Sequence, residues 1–272
     1  MKLSIITINF NNKGGLSKTI HSVLEQSFSD FEYIIIDGGS TDGSVELIKK
    51  YKDRIDYWVS ERDNGIYNAM NKGVRVAKGE YCLFLNSADT LFRANVLAEV
   101  FSTNPSADIV CGTICRDGIP DEYVENVSFS NFLTHTIAHQ AAFIRTSLLR
   151  NNPYDENLKL VSDWKFFFQE LILNGVSFQR IHLIISNFDN SGASMSNLSL
   201  VKQEHDQELH KMIPSIILDE VYKFFGISDD YYKLFVSIGE SPHKWRLYNI
   251  IVIILKVLLW NKKWIKEFRL HR

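Results

Sequence analysis

The sequence is short of cysteine, and its cysteines follow no disulfide or metal-binding pattern. They are Cys82, Cys111 and Cys115 in a chain of 272 residues. An odd number without paired spacing gives no disulfide framework, and Cys111 and Cys115 have no second ligand pair with which to hold zinc. Because free thiols are typical of a reducing compartment, we expect a cytoplasmic protein without structural zinc.

Other features are also absent, and each absence excludes a class of protein. Met1 and Lys2 lead directly into a strand of mixed polarity, unlike a secretory signal. No G-x-G-x-x-G follows that strand, which argues against a dinucleotide oxidoreductase. The apolar stretch 248–260 is interrupted by Lys256 and is shorter than the roughly 20 residues that span a bilayer. With 45% apolar residues, the chain can bury a full core in one large domain or in a domain with an appendage.

Positive charge is concentrated at the carboxyl end. Residues 241–272 hold eight basic residues and one acidic residue, a charge of +7, whereas the other 22 basic and 31 acidic residues give −9. Trp245 and Trp264 flank the apolar stretch, as is common at a membrane interface, where each basic residue near anionic lipid contributes about 1 kcal/mol. We therefore expect peripheral association with the inner face of the cell membrane.

The carboxyl-terminal segment has three alternative interpretations. Its helix could instead be buried against the domain or against the partner in a homodimer. A basic and aromatic tail is also found in nucleic-acid-binding proteins. The run of Ile and Leu between the charges argues against that use, so no nucleic-acid partner is expected.

Three apolar stretches in the N-terminal half end in small polar residues. They cover residues 3–8, 33–36 and 81–85, and the segments 16–26 and 44–51 between them have helical spacing. Alternating strands and helices predict an α/β fold with a mostly parallel sheet and right-handed connections. Since ligands bind outside the carboxyl ends of such strands, residues 7–9, Asp37 and Asp89 are expected at one rim.

Asp89 is the first candidate for metal chemistry. It follows the buried stretch 81–85 and the small polar residues 86–88. A carboxylate at the end of a parallel strand is well placed to hold a divalent cation against a phosphate. The alternative is an N-cap, because Asp before Thr90 and Leu91 also suits the start of a helix.

Six segments, taken in order, resemble one enzyme family. They are Thr7-Ile8-Asn9-Phe10-Asn11, Ile36-Asp37-Gly38-Gly39-Ser40-Thr41-Asp42-Gly43, residues 60–73, Leu85-Asn86-Ser87-Ala88-Asp89, His139-Gln140-Ala141-Ala142-Phe143 and Val161-Ser162-Asp163-Trp164-Lys165-Phe166-Phe167. Together they resemble the inverting glycosyltransferases of family 2, which have the GT-A fold and include bacterial enzymes that build polysaccharide and O-antigen repeat units. The resemblance covers residues 1 to about 195 and leaves the carboxyl-terminal tail outside it.

The resemblance implies a division of the chain. Residues 1–200 are expected to form a GT-A domain, with a nucleotide-sugar-binding half at 1–110 and an acceptor-binding half at 111–200. Residues 201–272 are expected to form a helical extension. The implied function is transfer of a hexose from a nucleotide-sugar, by the family's habit a UDP-sugar, to a lipid-linked saccharide. A nucleotidyltransferase and a non-catalytic sugar-nucleotide-binding protein are the alternatives.

The resemblance also implies which residues bind the donor. Asp37 would accept hydrogen bonds from the base, Lys72 would reach the diphosphate, and the remaining donor contacts would come from Thr7, Asn9, Asp63, Asn86 and Ala88. Each assignment has a structural alternative: Asp37 precedes two glycines and could form a turn, Asp63 begins an Asp-Asn-Gly turn, and Lys72 could be a solvated lysine.

The metal motif departs from the family pattern. The family usually carries two or more acids in the manner of Asp-x-Asp-Asp, whereas this chain has Asn86-Ser87-Ala88-Asp89. Mg²⁺ commonly uses one or two protein carboxylates and completes its octahedron with substrate phosphates and water. Asp89 with a diphosphate is therefore sufficient in principle, and we expect Mn²⁺ or Mg²⁺ to arrive with the nucleotide.

Asp163 is implied to be the general base. It would take the proton from the acceptor hydroxyl, which attacks the anomeric carbon opposite the leaving diphosphate and inverts its configuration. Its alternative is an N-cap before the apolar helical stretch that follows. The acceptor would be bound by His139, Gln140 and Trp164, with a structural histidine as the alternative for His139, and residues 191–194 would close over the donor.

Overall fold

The computed structural model describes residues 1–121, 127–133, 135–190, 192 and 197–225, and two compact units divide the chain at Met195 and Ser196. The first unit runs from Met1 to Met195 and the second from Ser196 to Arg272. The boundary between the two units lies near the predicted domain boundary at residue 200. The further division of the first domain at residue 110 stays a prediction. The predicted membrane or dimer segment, 241–272, lies outside the described residues.

The first unit alternates strands and helices through its amino-terminal part. The elements there are β1 (Leu3–Asn9), α1 (Lys13–Leu24), β2 (Phe31–Asp37), α2 (Ser44–Lys50), β3 (Tyr57–Ser60), α3 (Ile66–Val76), β4 (Tyr81–Phe84), β5 (Thr90–Leu91) and α4 (Val96–Ser102). All seven residues of β1 and all four of β4 are buried. Strands covered on both faces explain why these segments are continuous apolar runs rather than alternating ones.

The later part of this unit has a more irregular order. It contains β6 (Ile109–Arg116), β7 (Ile119–Pro120), α5 (Phe129–Phe132), a 3₁₀ turn (His139–Ala141), β8 (Ala142–Arg145), α6 (Thr146–Asn151), α7 (Ser162–Phe168), a π-helical segment (Gln169–Leu173) and β9 (Phe178–Phe188). In the second unit the described helices are α8 (Leu198–Met212) and α9 (Ser215–Phe225).

One mixed sheet organises the first unit. Its strand order is β3-β2-β1-β4-β8-β6-β9-β5, and β7 pairs with β6. The pairs β3–β2, β2–β1 and β1–β4 are parallel, which confirms the predicted βαβ arrangement. Strand β8 is antiparallel to both β4 and β6, so the later half departs from the parallel pattern. The predicted α/β fold is confirmed.

The register brings the polar strand ends to one rim. Asn9 of β1 lies opposite Asp37 of β2, and Asp37 lies opposite Ser60 of β3. The Ser87 hydroxyl, just after β4, donates to the Asn9 side-chain oxygen at 2.8 Å. The prediction that these segments meet at the carboxyl edge of the sheet is therefore confirmed.

At the amino ends of the strands, Gly79 allows the chain before β4 to pack closely against the backbone of β1. A Cβ at Gly79 would lie 2.4 Å from the Ser4 nitrogen and 2.5 Å from the Leu3 carbonyl carbon, both backbone atoms that cannot turn away. We expect Gly79→Ala to lower the free energy of unfolding by about 1–3 kcal/mol, measured by urea denaturation. Gly14→Ala is the matched control, because an added Cβ meets nothing within 4 Å there. Equal stability of the two variants would contradict the steric explanation.

A helix that crosses a bilayer must be both long and apolar. Among residues 1–121, 127–133, 135–190, 192 and 197–225, no helix meets both requirements.

Candidate active site

Asp37 is the centre of a buried polar cluster at the rim. Its carboxylate is fully buried and accepts hydrogen bonds from Asn9 Nδ2 at 2.7 Å, from the hydroxyls of Ser40 and Ser60 at 2.6 Å each, and from the backbone of Gly39 and Ser40. Burial opposes ionisation, but these hydrogen bonds outweigh it and hold the pKa of Asp37 below its ordinary value.

These contacts show that Asp37 has the turn-forming role given above as its structural alternative. The bonds to the Gly39 and Ser40 amides make Asp37 a turn-forming aspartate, as its structural alternative predicted. An ionised carboxylate has about four lone-pair sites, and five hydrogen bonds already occupy them. A nucleobase that contacts Asp37 must therefore displace one of these donors, and base binding at Asp37 stays a prediction.

Other predicted donor residues lie at different depths around this cluster. Thr7 is fully buried, and its hydroxyl lies 3.1 Å from that of the buried Tyr33, so its side chain faces the protein interior. Asp63 accepts from the Gly65 amide at 3.0 Å. A Cβ at Gly38 would lie 2.5 Å from Asp63 Oδ2 and 3.2 Å from the Phe10 ring, so Asp63 and Phe10 converge over this glycine.

Phe10 was not among the residues predicted from the sequence. Its ring is 64% exposed, directly after the fully buried strand β1. A large exposed aromatic at the end of a buried strand is a recognisable signal in the sequence, and its flat face at this rim suits a planar ligand.

Lys72 is held away from solvent by neighbours in the preceding loop. Its ammonium lies 2.7 Å from a Glu61 carboxylate oxygen and 3.3 Å from the Arg62 carbonyl oxygen. A diphosphate would have to compete with Glu61 for this cation. The contact between Lys72 and a diphosphate stays a prediction.

Asp89 lies in a turn between β4 and β5 that is held by hydrogen bonds to Thr19. Thr90 and Leu91 form a strand and α4 begins only at Val96, so the N-cap alternative for Asp89 is wrong. The Thr19 hydroxyl of α1 accepts from the Ala88 amide at 3.0 Å and lies 2.8 Å from the Asp89 carbonyl oxygen. Ala88 has a φ of +89°, a conformation that strains a non-glycine residue and that often marks a functional turn.

The Asp89 carboxylate is buried but not charge-compensated. It is 4% exposed, and Oδ1 accepts from the Asp189 backbone amide at 2.9 Å. Burial raises the pKa of Asp89 to about 6, against the lowering effects of the Asp189 amide and a hydrogen bond from the Gln140 side chain. A cation beside this carboxylate would supply the missing charge.

The residues around Asp89 fit a divalent cation that brings most of its own ligands. Asn86 belongs to the same turn, because its carbonyl accepts from the Asp89 amide at 3.0 Å. Its side-chain Oδ1 is buried and has no hydrogen-bond partner among the described residues. Within that same part of the chain, no three His, Cys, Asp or Glu side chains form a metal cluster. One carboxylate and one amide oxygen suit Mg²⁺ or Mn²⁺ completed by phosphate and water.

Asp163 is joined to this turn through His139. Helix α7 begins at Ser162 with Val161 as its cap, so the N-cap alternative for Asp163 is wrong. Its Oδ1 accepts from the Tyr67 hydroxyl at 2.8 Å, and its Oδ2 lies 3.0 Å from His139 Nδ1. Burial opposes ionisation, but the hydrogen bonds from His139 and from the Tyr67 hydroxyl outweigh it, and the pKa of Asp163 is lowered.

The Asp163 side chain is 13% exposed, so a carboxylate that stays ionised is still reachable from outside. Tyr67 was not predicted as a site residue, since its role depends on α3 meeting α7 in space. His139 also extends to the Asp89 turn, because its Nε2 lies 3.3 Å from Asn86 Nδ2. The fold thus joins the predicted base and the predicted metal turn through one histidine.

The other predicted acceptor residues are buried. Gln140 is 5% exposed, its side chain bonds to Asp89, and its carbonyl accepts from Ser186 at 2.9 Å. Trp164 is 3% exposed, donates from Nε1 to the Phe132 carbonyl at 2.9 Å and stacks on Phe168. Acceptor binding by these residues stays a prediction. Most of the loop predicted at 191–194 lies outside the described residues.

Comparison with known proteins gives consistent matches. The Glycosyl transferase family 2 model matches residues 4–171. A PGL/p-HBAD biosynthesis glycosyltransferase of Mycobacterium bovis (strain BCG / Pasteur 1173P2) is 27% identical over 219 residues, which cover 78% of this chain and 83% of that protein.

Two solved structures share the fold. Residues 1–349 of TarS from S. aureus, in complex with UDP, match with a TM-score of 0.60 and 19% identity, covering 77% of this chain and 66% of that one. The mannosyltransferase PcManGT from Pyrobaculum calidifontis, in complex with GDP-Man and Mn²⁺, matches with a TM-score of 0.60 and 16% identity, covering 78% and 64%.

Proposed function

The chain belongs to glycosyl transferase family 2, and from this we propose that it transfers a hexose from a UDP-sugar to a saccharide acceptor with inversion. The observation that carries the proposal is the placement of Asp163, an ionised, partly exposed carboxylate held by two side-chain hydrogen-bond donors, one of which, His139, also contacts Asn86 in the Asp89 turn. A base near a cation-binding turn suits a single displacement, in which nucleophile and leaving group lie on opposite faces of the sugar.

In this proposal Asp163 activates the acceptor. Tyr67, His139 and the Trp164 backbone each occupy one of the about four lone-pair sites of its carboxylate, which leaves one for an acceptor hydroxyl. As that oxygen forms a bond to the anomeric carbon, its proton passes to Asp163 and the bond to the diphosphate breaks. A positioned general base contributes about 10²–10⁴-fold to such a step.

The donor is proposed to lie along the rim formed by β1, β2 and β4. Phe10 offers an exposed aromatic face beside Asp63, and stacking on such a face is worth about 1–3 kcal/mol per base. Asp89 and Asn86 would hold Mn²⁺ or Mg²⁺ at the diphosphate. When bound, that cation neutralises charge on the leaving group. The TarS complex with UDP and the PcManGT complex with Mn²⁺ support a nucleotide donor and a divalent ion.

A donor panel tests the function directly. Purified full-length protein is incubated with UDP- and GDP-sugars and Mn²⁺, and released nucleoside diphosphate is measured. We expect UDP from at least one UDP-sugar. A nucleotidyltransferase would release pyrophosphate from nucleoside triphosphates instead, and a non-catalytic binding protein would bind UDP without turnover, so either outcome would reject the transferase proposal.

We further propose that the acceptor is lipid-linked and that residues 241–272 attach the enzyme to the inner face of the membrane. The support is the charge of +7 and the flanking tryptophans of that segment. Deleting it should abolish sedimentation with vesicles that contain anionic lipid and leave UDP release from the donor largely intact. A truncated protein that still sediments with these vesicles would disprove the attachment. A protein that changes from dimer to monomer without losing sedimentation would instead support the homodimer alternative.

A further inference from the structure

A continuous chain of hydrogen bonds joins the two sides of the site. It runs from the Tyr67 hydroxyl to Asp163 at 2.8 Å, from Asp163 to His139 Nδ1 at 3.0 Å, and from His139 Nε2 to Asn86 Nδ2 at 3.3 Å. Asn86 in turn shares its turn with Asp89. These residues come from α3, α7, the 3₁₀ turn and the end of β4, so no single segment of sequence contains the chain.

The chain fixes which imidazole nitrogen carries the proton. An ionised carboxylate only accepts hydrogen bonds, so His139 Nδ1 is the donor to Asp163. In the orientation that the structure gives the Asn86 amide, its nitrogen faces His139 Nε2 at 3.3 Å, and Nε2 accepts from it. With both nitrogens engaged, the ring can neither rotate nor exchange tautomers without breaking a bond. The exposed fraction of the His139 side chain is 14%, which leaves it little contact with solvent.

Only one of the two polar side-chain atoms of Asn86 has a hydrogen-bond partner among the described residues. Its Nδ2 contacts His139, whereas its buried Oδ1 lacks any hydrogen-bond partner in the part of the chain that the structure describes. An unsatisfied buried acceptor costs about 1–3 kcal/mol, and native proteins retain few of them unless a ligand, ion or water completes the site. An electropositive group of the donor, either its cation or a hydroxyl, is the complement that Oδ1 lacks.

We propose that His139 is a positioning residue that links Asp163 to Asn86, and that an electropositive group bound at Asn86 Oδ1 thereby orients the base. Binding at Oδ1 polarises the Asn86 amide, which strengthens its N–H donation to His139, because linked hydrogen bonds reinforce one another. His139 then holds Asp163 more firmly toward the acceptor. The inference rests on the proposed function and adds a reason for the base to act only when the donor is present.

A nuclear magnetic resonance experiment tests the link without relying on turnover. Full-length protein with ¹⁵N-labelled histidine is titrated with Mg²⁺ alone, UDP alone and both together. We expect the Nδ1–H tautomer for His139 and a shift of its Nε2 resonance on ligand binding. If the resonance shifts only when Mg²⁺ and UDP are added together, the group bound at Asn86 Oδ1 is the cation. If UDP alone shifts it, that group is a hydroxyl of the nucleotide. The shift should vanish in Asn86→Ala. An Nε2–H tautomer, or a resonance that responds to none of the additions, would overturn the proposal.

Two variants of His139 separate positioning from simple packing. The amide nitrogen of His139→Asn is placed near Nδ1 and can still donate to Asp163, whereas His139→Gln reaches toward Nε2 and loses that donor. We expect His139→Gln to lower the rate of UDP release by about 10- to 100-fold, and His139→Asn by less than about tenfold, with UDP affinity unchanged in both. Wild-type rates in both variants would overturn the positioning role.

Failure of the proposed function has a different signature. If Asp163→Asn released UDP at the wild-type rate, the base assignment would fail while the resonance response of His139 could still be observed. If the resonance failed to respond while Asp163→Asn was inactive, the base would stand and the link through Asn86 would be rejected. Thermal unfolding of every variant establishes that it is folded.

Discussion

Replacing Asp163 with Asn is expected to lower the rate of UDP release from the donor by about 10²–10⁴-fold while the affinity for UDP stays nearly unchanged. The amide cannot take the proton of the attacking hydroxyl, whereas the proposed donor site at Asn9, Asp37 and Asp89 is untouched. The measurements are initial rates of UDP release and calorimetric titration of UDP with Mg²⁺.

The local contacts make this substitution well tolerated structurally. The amide oxygen can still accept from His139 Nδ1, and the amide nitrogen can donate to the Tyr67 hydroxyl, which is able to accept. Tyr67→Phe is a useful companion, because it removes one donor to the carboxylate and keeps the ring between Asp163 and Tyr154. An Asp163→Asn protein with the wild-type rate would disprove the general-base assignment.

The parallel half of the fold could be predicted from local pattern. Strands β1, β2 and β4 are buried on both faces, so each is a continuous apolar run that ends where the chain leaves the sheet. The rim followed from the rule that parallel strands end together. The rest of the sheet could not be predicted in the same way. Strand β5 has two residues, and its partner β9 follows about a hundred residues later.

The candidate site shows the same division. Asp37 and Asp89 could be predicted at the rim because each follows a recognisable strand, whereas Asp163 was predicted from the resemblance to the family. Tyr67 could not, since its contact with Asp163 depends on two helices that are 96 residues apart in sequence. The side chain of Gln140 bonds to Asp89, although its position beside His139 in sequence had indicated the acceptor side. Adjacent residues in a 3₁₀ turn point in different directions, which sequence order does not reveal.

In the proposed metal site, the turn at Ala88 accounts for how a single acid could serve where the family usually has several. Ala88 takes a left-handed φ of +89°, and Thr19 contacts the backbone on both sides of it. This geometry returns the chain so that Asp89 is buried beside Gln140 and the Asp189 amide. A rigid turn with one buried carboxylate is preorganised, which reduces the need for further acids.

Replacing Asp89 with Ala is therefore expected to remove the metal dependence of the reaction altogether. The cation would lose its one carboxylate ligand, and several kcal/mol of charge stabilisation on the leaving diphosphate would be lost, equivalent to a fall of at least about 100-fold in the rate of UDP release. Titration of the rate with Mn²⁺ and Mg²⁺ should give no response. The affinity for UDP, measured by calorimetry with and without Mn²⁺, should become the same in both conditions.

Two further variants separate loss of the ligand from loss of the turn. Asp89→Asn keeps an acceptor for the Asp189 amide at Oδ1 but removes the charge, so it should preserve thermal stability and still lose the response to metal. Asp30→Ala removes a carboxylate that is 53% exposed and lies just before β2, at the other end of the sheet from the rim, and should leave both the rate and the metal response unchanged. A metal response in Asp89→Ala equal to that of Asp30→Ala would reject Asp89 as a ligand. Loss of activity in Asp89→Ala alone, with Asp89→Asn fully active, would show that the carboxylate serves the turn and not the cation.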